Sequence, residues 1–144
     1  MLREACPGVG VTARVLVDAS NVIGAVADGW WRDRPAAARR LVGRLQPWAA
    51  SMPDVVVEIV LDDPVEGLPD GDHDGVTVLT ARRRGRDAAD ERIIERLDEL
   101  VADGAAANAT VVTSDGALRD AAIARGAIVH GAGTFLERLD ALGR

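Results

Sequence analysis

Val55 to Leu61 is an apolar run interrupted only by Glu58, and it stops at Asp62-Asp63-Pro64. Val11 to Val17 reads the same way, with Val11, Val15, Leu16 and Val17 ending at Asp18-Ala19-Ser20-Asn21, a turn-rich set. A strand with one wet face alternates apolar and polar side chains. A strand apolar along its length must be covered on both faces, which is the condition of a parallel sheet between two helical layers. Shorter runs at Val76 to Leu79, Thr110 to Val112 and Ala127 to Val129 complete a set of five strands. Between them apolar residues recur at helical spacing. Ala38, Leu41, Val42, Leu45 and Trp48 mark one helix, with Asp33 as its cap and Pro35 in its first turn. Ile93, Ile94, Leu97, Leu100 and Val101 mark a second, Leu118, Ala122 and Ile123 a third closed by Gly126, and Phe135, Leu136, Leu139 and Leu142 a fourth. Strands alternating with helices predict an α/β domain.

The 144 residues suit one domain. Residues 1–10 read as a flexible N-terminal arm and residues 11–144 as a single domain. No apolar run reaches the ~18 residues that cross a bilayer, and Met1 to Pro7 lacks the apolar stretch of a signal peptide. The lone cysteine, Cys6, has no internal partner, which agrees with a reducing compartment. The expectation is a cytoplasmic protein with no membrane partner; the oligomeric state, a homodimer among the options, is left open. The net charge of −6 gives no overall field for a polyanion. All 17 basic residues are arginine, whose planar fork suits phosphate.

In an open parallel sheet, ligands bind beyond the carboxyl ends of the strands, where the strand order reverses. Asp18, Asp62 and Asp115 follow three of the strands, on one rim. Asp90 lies three and four residues before Ile93 and Ile94, so it shares their inward face in the first helical turn. Asp87 reads as the cap of that helix, Asp115 as a cap of the next, and Glu91 as a second-shell or solvated acid. Asp62 and Asp63 precede proline and also read as a turn. Carboxylates gathered in one pocket repel, and a divalent cation relieves them. All-oxygen ligation favours Mg²⁺ or Mn²⁺. His73 and His130 are isolated and read as surface or loop residues.

Val15-Leu16-Val17-Asp18-Ala19-Ser20-Asn21 resembles the opening strand and D-x-x-N turn of NYN domains, relatives of PIN-domain ribonucleases. Ala89-Asp90-Glu91-Arg92-Ile93 resembles their A-D-[DE]-x-[IL] helix start, and Val111-Val112-Thr113-Ser114-Asp115 their strand ending in T-S-D. The ordered set is similar along nearly the whole chain, most of all to the bacterial YacP-like branch. The resemblance implies a PIN-like three-layer α/β/α fold with a mostly parallel sheet in strand order 3-2-1-4-5, and Mg²⁺- or Mn²⁺-dependent endonucleolytic cleavage of RNA. It carries over Asp18, Asn21, Asp90 and Asp115 as catalytic residues. Asp18, Asp90, Asp115 and Asp62 become metal ligands, and Ser20 and Ser114 substrate contacts. Many PIN nucleases have a further acid after the first strand; Asp28 and Asp33 stand in that region, and neither aligns over the other.

Arg82, Arg83, Arg84 and Arg86 precede the Asp90 helix, where they would hold phosphates or be solvated. Trp30 and Trp31 follow the first strand, where they would stack on unpaired bases or cover the helix layer. The rival reading is a non-catalytic RNA-binding or ribosome-associated module of the same fold. A nucleotide hydrolase is a third; Asp18-Ala19-Ser20 departs from the D-x-D-x-[TV] start of haloacid-dehalogenase-type phosphatases, and no Gly-Lys-[Ser/Thr] phosphate loop occurs.

Overall fold

The computed structural model describes residues 13–26, 29–85 and 87–142. The expected arm at 1–10, Cys6, Val11, Asp28 and Arg86 lie outside them. Six strands form one sheet: β1 (Ala13–Asp18), β2 (Val55–Leu61), β3 (Gly71–His73), β4 (Val76–Thr80), β5 (Ala109–Val112) and β6 (Ile128–His130). Their order is β3-β4-β2-β1-β5-β6. All pairings are parallel except that of β3 with β4. The five expected strands stand in the expected order, with β3 added at one edge. From sequence alone Gly71-Asp72-His73 reads as loop, being short and polar. Its signal was the pair Asp74-Gly75, whose φ values of 50° and 94° suit the two-residue turn of a tight hairpin.

Alternate residues of each inner strand feed two separate cores. Val17, Val57, Ile59, Leu61, Val76, Val78 and Val112 face a layer of α1 (Ala19–Gly24), α2 (Arg34–Ala50) and α5 (Ala132–Leu142). Leu16, Val60, Ala109 and Val111 face α3 (Ala88–Ala102) and α4 (Gly116–Ala124). This two-sided burial explains why the strands are apolar without alternation. Asp33 caps α2 through the Ala36 amide at 3.0 Å, with Pro35 in the first turn. The short α1 was read as a turn, since Ser20 and Asn21 compete for the backbone; burial of Ala19 and Val22 holds it helical. Val101 departs from the expected buried stripe of α3 and is exposed.

Glu58, the interruption in the second apolar run, is 3% exposed on the α3 side of the sheet. It accepts from Arg14 of β1 and from Arg96 of α3, the latter at 2.9 and 3.2 Å. These bonds raise the pKa of Arg96, and Arg96 also donates to Glu99 at 2.9 Å. One carboxylate thus joins two strands and a helix, and the two guanidiniums offset the cost of burying it. Glu58→Ala strands two cations against the sheet. It should cost roughly 3 kcal/mol, read as a lower urea midpoint at unchanged slope; a midpoint within error of the parent would show the network to be dispensable.

Candidate active site

The chain runs from β1 outward through β2 to β4, then returns through α3 to β5 on the other side of β1. The strand order therefore reverses between β1 and β5, and their carboxyl ends flank a cleft there. The cleft has a volume of about 270 Å³ and is lined by Asp18, Ser20, Asn21, Asp62, Asp90 and Asp115, with Asp87 to Ala89 closing one side. No arginine or histidine is in that lining. Asp18 ends the central strand, opposite Val60 of β2, and is only 3% exposed, at the floor of the cleft. Asp90 comes from the first turn of α3, half-buried as its place on the inward face requires. Asp115 is the cap of α4: its Oδ1 accepts from the Leu118 amide at 2.8 Å, and its second oxygen takes no part in that cap.

Thr113 joins the ends of the two strands. Its buried hydroxyl donates to Asp18 Oδ2 at 2.9 Å and accepts from the Asp115 amide at 3.1 Å. Asn21 makes a parallel tie, its Oδ1 accepting from the Ser114 amide at 2.6 Å. The Ser114 hydroxyl accepts from the Ala132 amide at the start of α5, at 2.9 Å. The sequence placed Thr113 inside a motif but gave it no role; a hydroxyl between a strand-end aspartate and a cap is signalled only by the fold. Asp87 is a correction. It precedes α3 with φ 64° and makes no side-chain cap, because a cap carboxylate reaches the helix amides from an extended backbone and not from the left-handed one.

The electrostatics are those of crowded acids. Burial pushes the Asp18 carboxyl up to about 6, reinforced by Asp90 and Asp115 and opposed by the Thr113 hydroxyl and the nearby Asn21 amide. Burial also raises Asp90 to about 6, with Asp115, Asp87 and Glu91 adding to it. The donors are all oxygen and lack a cationic neighbour in the lining, which by chemistry fits a hard divalent cation. Among the described residues, no three His, Cys, Asp or Glu side chains form a ready-made metal site. The donor set fits such an ion, and holding it requires some of these side chains to turn inward.

The other expected residues divide around this cleft. Asp62 lies at its border, paired with Arg34 at 3.0 Å. Arg82 donates from Nε to both oxygens of Glu95, at 2.7 and 2.9 Å. Arg83 holds Glu91 from Nε at 2.8 Å, which lowers the pKa of Glu91 and takes it out of the cleft's ligand set. Arg84 stands 4.0 Å from Asp63. Arg92, which carries no expected role, bonds Glu95 at 2.9 Å and keeps its Nε buried without a hydrogen-bond partner. Arg82, Arg83 and Arg92 line a small pocket that meets the acidic cleft at Ala88. Trp30 is half-buried and stands edge-on to Trp31, which is 59% exposed. His73 Nε2 lies 2.7 Å from the Pro69 carbonyl, away from the acids. Asp33 is spent on its cap.

Fold and cleft together define a three-layer, mainly parallel α/β domain with an acidic cleft where the strand order reverses. Solved structures of Rae1 (YacP) from Bacillus subtilis are similar to it. One superposes with a TM-score of 0.72 at 25% identity, covering 90% of this chain and 75% of that one. The W164L mutant of the same protein superposes with a TM-score of 0.70 at 24% identity, covering 92% and 77%. No family model and no curated protein matches the sequence.

An acid whose pKa is raised on folding binds its proton more tightly in the native state, so stability falls as pH climbs from its unfolded value, ~3.9, through its folded one. For Asp18, with a folded value of about 6, the loss at neutral pH is at most roughly 3 kcal/mol. Asp18→Asn removes that charge. In EDTA the variant should exceed the parent in urea midpoint at about pH 7.5 and lose this advantage near pH 4. A difference between the two that does not change with pH would contradict the raised value.

Proposed function

We propose that this chain is a metal-dependent endoribonuclease of the NYN/PIN-like kind. The observation that carries the reading is that Asp18, Asp90 and Asp115, from three distant segments, line one cleft where the strand order reverses. Two further lines support RNA as substrate. The three ordered motifs resemble NYN domains, closest to the YacP-like branch, and the fold is similar to structures bearing that same name.

Asp18, Asp90 and Asp115, with Asp62 at the border, would hold Mg²⁺ or Mn²⁺. When bound, the ion activates water and neutralises charge on a phosphodiester undergoing in-line displacement. The chain's own residues prepare the place for it. Thr113 fixes the Asp18 carboxylate and favours its charged form. Asn21 ties the α1 turn to the end of β5; Ser20 lines the cleft, whereas the Ser114 hydroxyl is engaged by the Ala132 amide and lies outside the lining. The arginines before α3 would grip phosphates leaving the cleft, in exchange for the acids they now hold. No helix among the described residues is long and apolar enough to cross a membrane.

Asp115→Asn is the sharpest test, because asparagine caps a helix as well as aspartate and removes only the charge. Purified protein should cut single-stranded or structured RNA with Mg²⁺ or Mn²⁺ and not in EDTA, and the substitution should slow cleavage by about a hundredfold or more. Cleavage that survives both would sink the reading. One alternative, compatible with there being no ready-made trio of ligands among the described residues, is a non-catalytic RNA-binding or ribosome-associated module. In that case RNA binds without being cut, binding falls with salt and weakens on Arg84→Ala, and Asp115→Asn changes nothing.

A further inference from the structure

A second cavity, of about 260 Å³, adjoins the acidic cleft and shares Ser20 and Asp62 with it. Its character is different. Ile23, Ala38, Leu61 and Val65 supply apolar lining, and Trp30 lines it as well. The Arg34 guanidinium lies 5.9 Å from the centre of the Trp30 ring and donates to Asp62 at 3.0 Å. The pocket thus combines an aromatic ring, an apolar floor, and one donor group and one acceptor group at the edge. Trp31, although exposed, does not line it.

We infer that this pocket takes one unpaired nucleobase of an RNA strand whose backbone crosses the acidic cleft. The inference rests on the RNA reading above and adds a place to it. The volume falls just below the ~300 Å³ at which pockets for drug-sized ligands begin, which suits a single flat ring system. A base has π faces to set against Trp30 and apolar atoms for the floor. Its polar edge can exchange hydrogen bonds with Arg34 and Asp62, which already hold each other and so are fixed at the mouth. The shared border at Ser20 and Asp62 leaves the sugar and phosphate of the same nucleotide over the acids. An apolar side chain from a protein partner would use the floor and leave the Arg34–Asp62 pair idle.

The test is binding of a short single-stranded RNA of mixed sequence, in EDTA, against copies that each lack one base. At one position, base removal should weaken binding to the wild-type protein by about fivefold or more, the lower end for a base stacked on an aromatic ring. Trp30→Ala should lower affinity for the intact RNA by a similar factor and level the scan, and Trp30→Phe should retain the position dependence. Intact RNA that binds with a flat scan on the wild-type protein overturns the pocket and leaves the RNA reading standing. So does position dependence that survives Trp30→Ala. Failure to bind RNA at all, both in EDTA and with Ca²⁺ added, overturns both.

Discussion

The Thr113 hydroxyl donates a hydrogen bond to Asp18 and accepts one from the Asp115 amide, and it does so while buried. A carboxylate at the end of a central parallel strand has little access to water, and each donor it lacks pushes it further toward its protonated form. The hydroxyl offsets only part of that pressure, since Asp18 remains raised to about 6. The rest of the rim is arranged around this compromise. Asn21 closes the same gap from the α1 side, and Ser114 carries the connection on to α5. Three chain segments are thereby locked into one edge, and the two that carry Asp18 and Asp115 hold those acids in mutual repulsion.

Much of this was legible before any coordinates. The unalternating apolar runs require cover on both faces, and that requirement yields the parallel sheet, its helical layers and the rim on which Asp18, Asp62 and Asp115 stand. Helical spacing brought Asp90 to the same rim. What escaped were features decided by tertiary contact. The six-residue α1 was masked by the turn preference of Ser20 and Asn21, and β3 by its polarity. Asp87 looks like a cap by position, and only its left-handed backbone shows otherwise. The depth of Glu58 and its pairing with two arginines from distant elements were invisible, because a single acid in an apolar run carries no sign of what will meet it. Arg82 and Arg83 of the arginine run before α3 are engaged with the helix's own acids, which spacing alone did not foretell.

The surroundings of the acidic cleft are asymmetric. On one side, past Ala88, lie arginines partly neutralised by glutamates. On the other, past Ser20 and Asp62, lies an apolar recess with an indole ring. Charge for phosphates and stacking surface for bases are the two things a single strand asks of a protein, and here they are separated by the acids rather than mixed. A strand laid across the cleft would have a direction imposed on it by that asymmetry.

The Glu58 network has a bearing on the cleft that reaches beyond stability. Arg96, which grips Glu58, follows Asp90 on the same helix by about 9 Å of axial rise. The helix is therefore clamped partway along, and the clamp sets how far its first turn extends over the rim. Seen this way α3 is a bolt seated on the sheet, and the ion triad is its stop. A change at the stop would remove the polar tie that the sheet's interior offers this helix and leave the acid at its tip held by the apolar packing of Ile93 and Leu97.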